Sequence, residues 1–168
     1  RLNKLAEEVT ELQKAYTEKL RTVYGNSFEW RFEFPEVLDK EGQFQGFDLV
    51  IGNPPYLNFK MYSAAEREVF KNDFKEIFDG KADIYYYFFL QGLRAVKTNG
   101  IISYITSRYW LEAEFAEKLR KTLANTFSIK EIIDFKNVAI FDGIGIKTST
   151  ATFQKTEPSI GDTFNYKF

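Results

Sequence analysis

Two hydrophobic periods alternate along the chain, and the switches between them mark out its elements. Leu2, Leu5, Val9, Leu12, Tyr16, Leu20 and Val23 recur at helical spacing with charges between them, and Gly25-Asn26 supply a stop shortly after Arg21. This predicts one amphipathic helix over 1–25. Its apolar positions nearly fit a heptad, so a dimerising coiled coil stands as the alternative to a helix packed on its own domain. Phe28, Trp30, Phe32 and Phe34 then alternate with Glu29, Arg31 and Glu33, the period of a strand with one buried face, ended by Pro35. Gly42 and Gly46 mark a turn into Phe47–Ile51, an apolar run that reads as a buried strand.

Beyond that strand the period changes again. Ser63 and Glu66 have capping-box spacing and start a helix that runs to about Ile77, broken by Asp79-Gly80. Asp83 precedes a helix over 84–96, with Tyr85, Phe88, Phe89, Leu93 and Val96 toward the sheet and Asn99-Gly100 at its end. Ile101–Ile105 reads as a strand, about 112–124 as a helix with Phe115, Leu119 and Leu123 inward, and Ile129–Phe135 and Thr148–Gln154 as two further strands. Strands separated by helices pair in parallel through right-handed crossovers, which makes the fold class α/β. The connection 136–147 predicts no helix, so the last strand should run antiparallel to its neighbour.

Composition narrows the chemistry. With 168 residues, 44% hydrophobic and 18% aromatic, the chain can bury a real core. It has no cysteine and no histidine, which removes disulfides, thiolate metal sites and the commonest general base. No apolar stretch reaches the roughly 20 residues that span a bilayer, and the amino end is charged, so no membrane role is expected and a cytoplasmic protein is the default. A net charge of −1 and a pI near 5.7 argue against a globally basic nucleic-acid binder. The opening on Arg1 and the polar stretch at Phe168 read as an excised piece of something larger.

Asn53-Pro54-Pro55-Tyr56 stands where the 47–51 strand ends. Ligands of open α/β sheets bind just beyond the carboxyl ends of strands, and this loop offers a carboxamide, backbone carbonyls and an aromatic face at one point. Such a set suits an amino group on a flat ring. On this tetrapeptide, and on Phe28-Glu29-Trp30-Arg31-Phe32-Glu33-Phe34-Pro35-Glu36-Val37-Leu38 followed by Gly46-Phe47-Asp48-Leu49-Val50-Ile51-Gly52, the chain resembles the amino-group DNA methyltransferases of the adenine-N6 class. Within that class it looks like the large single-chain enzymes that fuse methyltransferase and restriction endonuclease.

The resemblance covers approximately Phe28 to Lys155 and implies the C-terminal half of a Rossmann-like methyltransferase fold, a mostly parallel sheet with one antiparallel strand near the end, preceded by the amphipathic helix. In domain terms it implies the helix over 1–25, the target-base part of a methyltransferase domain over 26–155, and over 156–168 the start of a linker toward a recognition domain. It also implies S-adenosylmethionine as methyl donor, double-stranded DNA as partner, and Asn53, Pro54, Pro55 and Tyr56 as the catalytic loop. The Asn53 side-chain oxygen and the Pro54 carbonyl would accept the two N–H bonds of adenine N6, and the paired prolines would hold that carbonyl rigidly. The base must be flipped out of the duplex, with Tyr56 on one face and, by the same resemblance, Phe141 on the other. Gly143 and Gly145 would let the Phe141 loop approach a ligand. No Gly-x-Gly follows a strand upstream of Asn53, so the main cofactor site is expected outside this chain and the isolated piece is expected to be inactive.

Other residues carry weaker signals. Asp48 and Asp83 form a conceivable acid–base pair but fit structural roles better, Asp83 as a helix cap. Arg108, just beyond the 101–105 strand, is read either as a phosphate contact or as solvent-exposed. Lys60, Lys71, Lys75 and Lys81 are interleaved with Glu66, Glu68, Asp73, Glu76 and Asp79, which favours a solvated helix over a phosphate-binding surface. The alternatives to DNA methylation are methylation of a protein glutamine or of RNA, and a nonenzymatic interaction module built on the first helix.

Overall fold

The computed structural model describes residues 9–12, 14–15, 30–141, 143, 145–159 and 161–168, and it divides into two units, Arg1–Gln45 and Gly46–Phe168. In the first unit 9–12 and 14–15 are helical. The remainder of the helix expected over 1–25, with its heptad pattern, lies outside the described residues.

The strand expected around Phe28–Phe34 is not formed over its described part. Trp30–Glu33 is a single helical turn, and Pro35–Val37 continues as a 3₁₀ turn. The spacing of two of the rings suits the turn. Trp30 and Phe34 are four residues apart, so they alternate as in a strand but also meet on one helical face, where the rings stack at 5.8 Å and the Phe34 N–H donates to the Trp30 carbonyl at 2.9 Å. Phe44 closes on Trp30 at 6.2 Å across a turn in which the Asp39 carboxylate accepts the N–H groups of Glu41 and Gln43.

The second unit is a five-stranded sheet: β1 Phe47–Gly52, β2 Val96–Ser107, β3 Ser128–Asp134, β4 Thr148–Gln154 and β5 Asn165–Lys167, in the order β1-β2-β4-β3-β5. β1 pairs parallel with β2 and β3 parallel with β5, while β4 is inserted antiparallel between β2 and β3. One reversed strand in an otherwise parallel sheet is the arrangement expected. The connection before β4 contains no helix among its described residues and cannot supply a crossover.

Among the described residues of this unit are three helices, α1 Ala64–Asp73, α2 Ile84–Ala95 and α3 Glu117–Thr126; α2 packs on β1 and β2, α3 adds Leu119 and Leu123 to the same core, and α1 lies against α2. α1 opens with the expected capping box between Ser63 and Glu66. α2 is buried on more sides than its pattern suggests. Tyr85, Tyr86 and Phe89 are fully inaccessible, Tyr87, Leu90 and Gly92 are buried, and Phe88, expected inward, is exposed. The cause is a second cover: Phe70 stacks on Tyr87 at 4.4 Å, and Phe115 lies over Tyr86. On the sheet side α2 approaches β2 so closely that a Cβ at Gly92 would meet Ile102 Cδ1 at 2.4 Å. Phe89 touches Tyr104, Trp110 and Phe153, and truncating it to Ala would cost about 3–5 kcal/mol.

Several expectations need correction. α1 ends at Asp73 rather than near Ile77, β2 begins at Val96 rather than Ile101, and β5 follows the strand expected to be last. α2 ends at Ala95, and Asn99, in left-handed backbone at φ 65°, belongs with Gly100 to a bulge in β2. α3 opens at Glu117 rather than Glu112; two 3₁₀ turns, Arg108–Leu111 and Glu114–Ala116, precede it, and the carbonyls of Trp110 and Ala113 accept the Arg120 guanidinium. β1 is not buried throughout, because the helices cover one face only. Val50 packs inward, but Leu49 and Ile51 on the other face are 55% and 75% exposed. No described helix is long and apolar enough to cross a membrane.

Candidate active site at the carboxyl edge of the sheet

Parallel pairing of β1 with β2 and the reversed course of β4 bring three connections to one edge. These are the Asn53 loop after β1, the turn at Arg108 after β2, and the loop 135–147 from the end of β3 to the start of β4. From β1 the near root of that last loop is two strand spacings away and the far root three, on the order of 10 and 14 Å.

Asn53 is exposed, Pro54 buried, Pro55 exposed and Tyr56 half-buried. The Tyr56 hydroxyl donates to Asn53 Oδ1 at 2.7 Å and lies 3.3 Å from the Ile105 carbonyl. A hydroxyl has one proton, and the 2.7 Å contact has the ordinary O–H···O length, so Asn53 holds it. Burial pushes the Tyr56 pKa up, which keeps the hydroxyl a donor. The ring meets Tyr85 edge-on at 6.3 Å. Asn53 Oδ1 thus keeps one lone pair for another donor, and the Pro54 carbonyl accepts no hydrogen bond among the described residues. Adjacent residues at a strand end thus carry two acceptors, the first of them three positions before an aromatic residue whose hydroxyl is bonded to it.

The segment that follows is fastened to α2. The Ile84 N–H donates to the Leu57 carbonyl at 3.1 Å, and Asp83 Oδ1 accepts the Phe59 N–H at 3.3 Å. Asp83 therefore occupies the N-cap position of α2 without capping it by its side chain, and burial raises its carboxyl pKa. Asp48 is on the surface, where Lys97 holds its pKa down. The two carboxylates have separate partners.

Phe141, the other expected stacking residue, is half-buried in the loop 135–147 and makes no ring contact with Tyr56 among the described residues. Gly143 has φ 72°, and neither it nor Gly145 has an atom within 4 Å of a Cβ position, so the loop is open there. Arg108 is neither solvent-exposed nor free for a phosphate: its guanidinium forms a forked pair with Asp134 and a further contact with Glu112 at 2.9 Å. Lys60, Lys71, Lys75 and Lys81 are exposed, and Lys71 pairs with Glu68. The Tyr56–Asn53 bond and the Arg108–Asp134 pair were not anticipated. The second had a faint signal, an arginine just beyond one strand and an aspartate ending another.

No group of His, Asp or Glu among the described residues has the geometry of a metal site. The model of Eco57I restriction-modification methylases matches residues 2–141. The chain belongs to the Eco57I restriction-modification methylase family. Relatives of this family member include the type II methyltransferase M.HincII of Haemophilus influenzae, 31% identical over 100 residues that make up 58% of this chain and 20% of that protein. The type II methyltransferase M.BanIII of Aneurinibacillus aneurinilyticus is 29% identical over 121 residues, 66% of this chain and 20% of that protein. The chain thus spans about a fifth of the length of these curated relatives. In fold it is similar to the methyltransferase subunit of a type I restriction-modification system from Streptococcus thermophilus, at a TM-score of 0.54 and 25% identity, over 67% of this chain and 24% of that one.

Proposed function

We propose that the full-length protein methylates the N6 amino group of an adenine rotated out of double-stranded DNA, as the cytoplasmic modification activity of a restriction-modification system. The observation that carries this reading is the succession of two acceptors at the end of β1: Asn53 Oδ1 with one lone pair open, and the Pro54 carbonyl with no donor among the described residues. Membership of a restriction-modification methylase family supports it.

An exocyclic amino group on a purine is a weak nucleophile because its lone pair is delocalised into the ring. Two acceptors that take its two N–H bonds draw the nitrogen toward tetrahedral geometry and free the lone pair. This is positioning and electrostatic preorganisation and needs no titrating base, in keeping with a chain that has no histidine. Tyr56 has two tasks here. Its hydroxyl orients the Asn53 carboxamide, and its ring offers a stacking surface worth roughly 1–3 kcal/mol per base. Phe141 supplies the second surface from the opposite loop.

S-adenosylmethionine supplies an electrophilic methyl group when bound. The described residues fit the acceptor side of such a reaction, since β1 is the first strand of the described sheet and the sequence before it has no Gly-x-Gly. In the full-length protein, Asn53→Ala should abolish most methyl transfer while DNA affinity stays within a few-fold, because Asn53 acts on the reacting nitrogen rather than on phosphates. Transfer by the Ala variant at the unaltered rate contradicts the assignment.

A further inference from the structure

The roots of the loop 135–147 are bonded to the two members of one ion pair, Lys147 to the backbone of Arg108 and Lys136 to the side chain of Asp134. Arg108 Nε and Nη2 donate to the two oxygens of Asp134 at 2.7 and 2.9 Å, a forked pair in which the aspartate is fully buried and the arginine only 16% exposed. Asp134 is the last residue of β3, Arg108 the first beyond β2, and β4 runs between those strands, so the pair straddles the start of β4. The backbone N–H of Arg108 donates to the carbonyl of Lys147, the last residue of the loop, at 2.9 Å. At the other root Asp134 Oδ1 accepts the N–H of Lys136, which turns through left-handed backbone at φ 47°. The Tyr166 hydroxyl adds a bond to Asp134 Oδ2 at 3.1 Å, and Glu112 takes the remaining nitrogen of Arg108.

Between the two roots the loop is built loosely, with Ala139 and Ile140 exposed and open space around Gly143 and Gly145. Its course over the sheet edge is therefore set where it leaves and rejoins the strands. We propose that Arg108, together with Asp134, is a positioning residue for the methyl-transfer site, holding the loop so that Phe141 meets the base opposite Tyr56. The inference rests on the reading of Phe141 as a stacking residue.

The test is a double-mutant cycle on the full-length protein, reading kcat and KM for methyl incorporation into unmethylated phage DNA. Phe141→Ala and Arg108→Lys, which keeps the charge but loses the fork, should each lower kcat/KM by about tenfold. If Arg108 acts through the loop, the double variant falls little below either single one, whereas independent effects multiply to about a hundredfold. The multiplied result overturns the proposal, and so does a wild-type rate for Arg108→Lys beside an impaired Phe141→Ala. A wild-type rate for Phe141→Ala overturns the stacking reading itself, and this inference with it. Should Arg108→Lys fail to fold by thermal melting, Tyr166→Phe removes one bond to Asp134 at an exposed tyrosine. Its loss of about two- to fivefold should vanish in the Phe141→Ala background, and a loss that persists there refutes the proposal.

Discussion

Two loops leave the same sheet edge, and they are held in opposite ways. The Asn53 loop is fixed along its length: two prolines restrict its backbone, the Tyr56 hydroxyl ties back to Asn53, and Leu57 and Phe59 are bonded to the start of α2. The loop 135–147 is fixed at its roots by Arg108 and Asp134, with open space about Gly143 and Gly145. The difference matches the tasks proposed for them. Groups that act on a developing charge must already be in place, whereas a ring that closes over a base needs room for the base to enter.

The sharpest break in this comparison is Asp134→Ala. It leaves the buried Arg108 guanidinium with the exposed Glu112 in place of its buried partner, and loss of one member of a buried pair costs up to about 3–5 kcal/mol, visible as a lower denaturant midpoint. The same pair gives an acid limb. Arg108 holds the Asp134 carboxyl at about 2, below its ordinary 3.8, so the unfolded chain takes up the proton first. The stabilisation, about 2 kcal/mol, is complete above pH 4 and is lost as pH falls through 4 toward 2. A stability curve over that window should lose this step in Asp134→Ala.

Asn53→Ala comes next and separates the loops by kind, since it should lower kcat by about 10²- to 10³-fold, as removal of a preorganised polar group at a reacting centre does, with melting unchanged. Phe141→Ala should be milder, about 1–3 kcal/mol of lost stacking, read as weaker binding of the extruded base and slower transfer. Tyr56→Phe is the finest probe. It keeps the ring and removes the bond to Asn53, so rates should fall by about 1 kcal/mol, roughly fivefold. A loss as large as that of Asn53→Ala would mean that the hydroxyl does more than orient the carboxamide.

Much of this was legible in the chain itself because local rules act locally. The apolar run 47–51 and the Pro-Pro after it locate a strand end and a rigid loop, and Ser63 with Glu66 locates a helix start, from residues that touch in the fold. Parallel pairing and the reversed β4 followed from which connections hold a helix. What stayed hidden depends on partners far along the chain. Arg108 and Asp134 are 26 residues apart, and no period joins them. Trp30 and Phe34 satisfy two periods at once, and in the fold they meet on a helical turn that closes on Phe44. β5 has three exposed residues, too few to show alternation. The apolar residues of β1 suggest burial on both faces, although Leu49 and Ile51 lie on the face that the helices leave bare.

If the end of β1 holds a substrate amino group for methylation, the reaction product carries the evidence. DNA treated with the full-length protein and S-adenosylmethionine should be digested to nucleosides and resolved by mass spectrometry, for the wild type and for Asn53→Ala. N6-methyladenine is expected from the wild type and almost none from the variant. Methyl groups found on RNA or on protein glutamine instead of DNA, or N6-methyladenine undiminished by Asn53→Ala, would contradict this reading.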